Sequence, residues 1–76
     1  MDVEKLKIVF RETFDLPDDV DWSTLRFSEY PTWTSLGHMS LVAAIETEFD
    51  IMFETDDIID MSSFEKAIEL TAKHAD

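Results

Sequence analysis

Thr34-Ser35-Leu36-Gly37-His38-Met39-Ser40-Leu41-Val42-Ala43-Ala44-Ile45-Glu46-Thr47-Glu48-Phe49-Asp50 is the stretch on which the reading of this chain turns. Leu36, Met39, Val42, Ala43, Ile45 and Phe49 recur at helical spacing, and Leu41 widens their arc. The pattern predicts a helix over about Ser35 to Phe49. Ser40, Thr47 and Glu48 with Gly37 form the opposite strip. So broad an apolar face belongs to a central helix that touches several neighbours. Met39, Val42 and Ala43 are accordingly expected in the core, together with Phe53, Ile58, Met61 and Ile68.

Upstream, Val3, Leu6, Phe10 and Phe14 predict an amphipathic helix from about Asp2 to Phe14, with Asp2 as N-cap. Leu16-Pro17-Asp18-Asp19 ends it. Residues 15–33 then form a long connection carrying Val20, Trp22, Leu25, Phe27, Tyr30 and Trp33. A connection this long in a small domain is uncommon. Its large side chains must pack down, so an ordered loop is expected, with a helical turn around Ser23 to Phe27 and Trp22 and Trp33 as anchors. Pro31 disfavours helix at Tyr30 and marks the last bend.

Downstream, Asp50 to Glu54 reads as a turn. A short helix follows near Thr55 to Asp60, capped by Thr55 or Asp56. A last helix opens with Ser62-Ser63-Phe64-Glu65, in which Ser62 and Glu65 form a capping box. Phe64, Ala67, Ile68 and Thr71 face inward and His74 falls in a fraying tail. The fold class expected is all-α: a four-helix bundle of three main helices and one short helix, with a long first loop, in a single domain over residues 1–76.

Six Lys+Arg against 18 Asp+Glu leave a formal charge of −12. That balance repels nucleic acid and anionic lipid and suits partners with basic docking surfaces. Between Arg26 and Lys66 there is no lysine or arginine, while Glu29, Glu46, Glu48, Asp50, Glu54, Asp56, Asp57, Asp60 and Glu65 lie in that interval. One side of the domain is expected to be strongly negative, with its crowded carboxyls raised in pKa by their like-charged neighbours. At 45% hydrophobic and 12% aromatic residues the chain is apolar enough to build a core. It has no cysteine, hence no disulfide and no thiolate zinc site. No signal peptide and no membrane span are legible, and a cytoplasmic monomer is expected.

No catalytic constellation stands out. His38 lies three residues after Ser35, but no sign of an oxyanion pocket accompanies the pair. The loop from Asp50 fails as a calcium loop: Met52 takes the third ligand position, Thr55 the turn glycine and Met61 the final glutamate. No metal site is expected.

The stretch from Thr34 to Asp50 resembles the modification site and second helix of acyl carrier proteins, whose pattern is Asp-Ser-Leu followed by a helix ending in Glu-x-x-Phe-Asp. The resemblance extends more weakly through Asp57-Ile58 and Met61-Ser62-Ser63 into the last helix. It implies that Ser35 is esterified by 4′-phosphopantetheine, delivered from coenzyme A by a phosphopantetheinyl transferase. Acyl groups would ride on the arm as thioesters in a fatty-acid, polyketide or specialised lipid pathway. The protein itself would not be an enzyme. Acyl-transferring or condensing enzymes with basic docking surfaces would meet Leu36, Met39, Glu46, Glu48, Asp56, Asp57 and Asp60. Some core residues would line a space for the acyl chain. The chain departs from the family at Thr34, where the usual residue is an aspartate that the transferase recognises, and at Ser40, often acidic. An aminoacyl or peptidyl carrier and an unmodified acidic helical protein-interaction adaptor remain the alternatives.

Overall fold

The computed structural model describes residues 1–75. Helix α1 spans Val3–Phe14, α2 Ser35–Phe49, α3 Thr55–Asp60 and α4 Phe64–Ala75. The all-helical bundle of three main helices and one short one therefore follows the sequence pattern closely. Among the described residues there is no strand; the one bridge pairs Arg26 with Ser63.

Local chemistry explains the starts. Asp2 has extended backbone and its carboxylate accepts from the N–H groups of Glu4 and Lys5, so α1 begins as predicted. Thr34 does the same for α2, its hydroxyl accepting from Gly37 N–H at 3.2 Å. Two expected caps are corrected. Glu54, not Thr55 or Asp56, is the N-cap of α3, and Asp57 reaches back to accept from Glu54 N–H at 3.0 Å. At α4, Ser63 Oγ rather than Ser62 accepts, from Lys66 N–H at 3.0 Å. The cap lies one residue later because Ser62 uses its carbonyl to accept from Phe27 N–H at 2.9 Å. Glu65 consequently falls one position too early to complete a box.

Helices α1 and α2 end alike, in Phe14-Asp15-Leu16 and Phe49-Asp50-Ile51. In each the aspartate is left-handed, with φ of 55° and 53°. The aliphatic residue after it donates to the carbonyl five positions back: Leu16 to Arg11 and Ile51 to Glu46. This is the Schellman arrangement, with aspartate where glycine is commoner.

The long connection is ordered, as expected. Its 3₁₀ turn covers Trp22–Thr24 under an Asp21 cap, slightly earlier than predicted. Backbone bonds within residues 26–33 fold it into successive turns, and Phe64 N–H donates to Leu25 O at 3.3 Å. The loop is thereby tied to the α3–α4 junction, a long-range pairing that periodicity cannot reveal.

The core gathers Leu6, Val9, Phe10 and Phe14 of α1, Leu41, Val42 and Ile45 of α2, and Phe64, Ala67 and Leu70 of α4. Leu25 and Trp33 enter it from the loop with no exposed surface. Phe10 is the hub, meeting Phe14, Trp33 and Phe64 edge to face at centroid distances of 5.8, 5.4 and 5.0 Å. Trp22 is half-buried under Lys7 and Arg11, whose cationic groups lie 5.5 and 5.3 Å from its ring. Met39 and Ala43, expected inside, are exposed. The physical reason is that α2 is apolar around more of its circumference than its neighbours can cover: α3 is only six residues long.

Gly37, the only glycine in the chain, has a packing role. A Cβ there would stand 2.6 Å from Thr32 O and 3.2 Å from Phe14 Cε1. The start of α2 can approach the loop this closely only without a side chain.

Candidate functional site

Ser35 is the first residue of α2 and is exposed. The Thr34 hydroxyl is occupied by Gly37 N–H, so the Ser35 hydroxyl has no capping duty. The first N–H groups of any helix lack intrahelical acceptors and carry the positive end of the helix dipole. An anionic substituent on Ser35 would therefore sit in a favourable field.

Beside Ser35 a cleft of about 340 Å³ opens between α2 and α3. Ser35, His38 and Met39 line it from α2; Ile58 and Ile59 line it from α3, with Phe27 and Met61 completing the wall. The lining is almost wholly apolar. A larger, open groove of about 480 Å³ between α1 and α2 shares no residue with it and is rimmed by Glu12 and Glu48.

His38 is the one ionisable side chain in the cleft wall. It is buried, and its ring lies 5.0 Å from Phe27 and 6.0 Å from Trp33. Trp33 Nε1 donates to His38 Nδ1 at 2.8 Å, and His38 Nε2 lies 2.8 Å from Ile58 O. The indole N–H can only donate and the carbonyl can only accept. The ring is thus assigned as the neutral tautomer with its proton on Nε2. Both nitrogens are engaged, and neither is free to take the proton of Ser35.

The expected docking residues separate into three groups. Leu36, Met39, Glu48, Asp56 and Asp60 are exposed, with Leu36 at 80%. Glu46 is half-buried and its Oε2 accepts from Phe53 N–H at 2.8 Å, fastening the α2–α3 turn to α2. Asp57 is a correction: it is 3% exposed and faces α4 rather than a partner. Its Oδ1 accepts from Lys73 Nζ at 2.6 Å and its Oδ2 from His74 Nε2 at 2.7 Å. His74, expected in a fraying tail, is half-buried in α4, with Phe53 packed edge-on at 5.5 Å. Ile59, which the sequence pattern places with Ile58 and Met61 among the packing contacts of α3, is instead 72% exposed and joins the apolar rim. The only sequence signal of that exposure is that two isoleucines adjoin in a helix too short to bury both.

Electrostatics follow from these contacts. Hydrogen bonds from Lys73, Glu54 N–H and His74 hold the Asp57 carboxyl well below the usual 3.8. Bonding from the Ser23 hydroxyl and N–H lowers Asp21. The Asp57 shift runs opposite to the raised carboxyls expected from crowding between Arg26 and Lys66, because this carboxylate is matched by donors. Lys73 is raised in turn, chiefly by its bond to Asp57.

Compared with family models, curated proteins and solved structures, the chain matches none. Among the described residues, no helix is long and apolar enough to cross a membrane.

Proposed function

We propose that the protein is an acyl carrier that holds its cargo through a 4′-phosphopantetheine arm on Ser35. The observation that supports this most is the juxtaposition of an exposed serine at a helix start with the mouth of an apolar cleft. The residues fit such a group. Ser35 is exposed, the helix start favours a phosphodiester, and the cleft offers shelter from water to an aliphatic chain.

When bound, the arm supplies a terminal thiol on which acyl groups are carried as thioesters; this chain has no thiol of its own. The protein's own contribution is placement and recognition. Thr34 caps α2 and so fixes the orientation of Ser35. Leu36, Met39 and Ile59 form an apolar rim, with Asp56 and Asp60 exposed on α3; Glu48 lies on the α1 side of α2. Such a mixed surface suits acyl-transferring or condensing enzymes with basic docking sites, where charge hastens encounter and apolar contact supplies affinity. The apolar cleft favours an aliphatic cargo over an aminoacyl one, whose ammonium would find no carboxylate in that wall. Fatty-acid, polyketide and specialised lipid pathways all use cargo of that kind.

Incubation with coenzyme A, magnesium and a broad-specificity phosphopantetheinyl transferase, followed by intact mass, tests the reading. One arm is expected on the wild type and none on Ser35→Ala. Thr34→Asp is expected to speed loading. An unmodified wild-type mass, or an adduct that survives Ser35→Ala, would leave an unmodified adaptor as the better account.

A further inference from the structure

We propose that His38 is the specificity-determining residue of the cleft, setting how long an aliphatic chain it can enclose. The proposal rests on reading the cleft as the shelter for cargo, and concerns how that shelter ends.

The geometry is that of a crossbar. His38 projects from the second turn of α2, and its Nε2–H bonds to the carbonyl of Ile58 on α3. The two helices that form the cleft are therefore joined by one imidazole. On its other side the ring is held by Trp33, which has no exposed surface and packs against Phe10 and Phe14 at 5.4 and 5.3 Å. Trp33 does not line the cleft and His38 does. The imidazole thus stands between the cleft and the aromatic core.

A methionine or leucine at this position could swing aside for a longer chain. The imidazole cannot without giving up two hydrogen bonds at once, one of them to a tryptophan N–H that would be left buried and unpaired. Met39, 54% exposed, is by contrast free to adjust its rotamer. The outer part of the cleft is accordingly adaptable and its inner end is fixed. Because both ring nitrogens are satisfied, the imidazole itself offers no free hydrogen bond to a polar chain terminus.

The chain contains no cysteine, so Ser35→Cys provides a unique attachment point at the cleft mouth. Alkyl methanethiosulfonates of increasing length would be coupled to it. The introduced thiolate displaces methanesulfinate and forms a mixed disulfide with the alkyl chain. Melting temperature is then read against chain length. Each methylene that enters the cleft is expected to raise it by up to roughly 3–6 °C, until the chain reaches His38 and the rise stops. In Ser35→Cys/His38→Ala the rise is expected to continue to longer chains. Ser35→Cys/His38→Val serves if the alanine protein does not fold, and is expected to move the limit in the same direction. A merely structural role for His38 would lower all melting temperatures alike and leave the limiting length unchanged.

An unchanged limit in the His38 variants would overturn the proposal. So would the absence of any rise in the Ser35→Cys parent, which would show that the cleft does not admit a chain. Neither result bears on loading of Ser35 by coenzyme A, which the mass experiment decides separately.

Discussion

The aromatic half of the molecule and the cleft half are built on different principles. Around Phe10, the rings of Phe14, Trp33 and Phe64 interlock with almost no exposed surface. Between α2 and α3, Met39, Ile58, Ile59 and Met61 leave a cleft open, and Met39 and Ile59 stand largely in solvent. The first arrangement uses rigid, shape-matched side chains whose loss leaves a cavity. The second uses flexible or aliphatic ones around space that is not filled. In a chain of 76 residues the stability has to come from the first half, while the second leaves space unfilled.

The sharpest way to break that contrast is to truncate one residue from each half. Trp33→Ala removes a fully buried side chain and leaves His38 Nδ1 without its donor. A loss of about 3–5 kcal/mol is expected, enough to remove most of the stability of a domain this small. Ile59→Ala, at a 72% exposed position, is expected to stay within about 0.5 kcal/mol. Urea unfolding of the two variants measures both. Comparable losses would show that the cleft half is as tightly packed as the core.

A second variant probes the joint between the halves. Gly37 is where the start of α2 touches both Phe14 and the Thr32 carbonyl. Gly37→Ala would favour helix by propensity alone, yet its Cβ would lie 2.6 Å from a backbone oxygen. The clash is expected to win, with destabilisation of about 1–3 kcal/mol. A gain in stability would mean that the loop yields easily and that the joint is soft.

The smallest effect is expected at the outer fastening of α3. Asp57→Asn keeps an acceptor for Glu54 N–H but removes the charge facing Lys73 and His74. Lys73 is more than half exposed, so solvent screens the pair. The pH dependence is the cleaner signature. The folded pKa of Asp57 lies below its ordinary 3.8, so its contribution is complete above that value and is lost as pH falls through the folded pKa. The gap in melting temperature between wild type and Asp57→Asn should be wide at about pH 5 and narrow below about pH 4. Lys73 has the opposite sign: its contribution is complete below 10.5 and is lost as pH rises through its raised value. A gap that widens in acid would contradict the assignment of Asp57 as a donor-matched carboxylate.

Much of the fold was legible because it is local. The spans of α1 and α2 and the cap at Asp2 each follow from residues within a few positions of one another. The bounds of α3 were legible for the same reason, although its cap was not: Glu54 is a weak capping residue made effective by Asp57. Ser35 was identified from the residues around it, and the structure adds the cleft beside it.

Helix periodicity, the acidic balance and the serine at a helix start can be read without any tertiary contact, since they depend on side-chain spacing, composition and near-neighbour hydrogen bonds. Tertiary structure alone decided which apolar residues are buried, because Met39 and Ile45 have equal claims on the α2 pattern and only neighbouring helices distinguish them. It also decided the fate of the charges: Asp56 and Asp57 are adjacent, yet one meets solvent and the other is enclosed by Lys73 and His74 from α4. The engagement of His38 by Trp33 and Ile58 was likewise invisible, since its acceptor lies 20 residues away. The common reason is that burial and partnership are properties of contacts between segments, whereas periodicity records only what each segment can present.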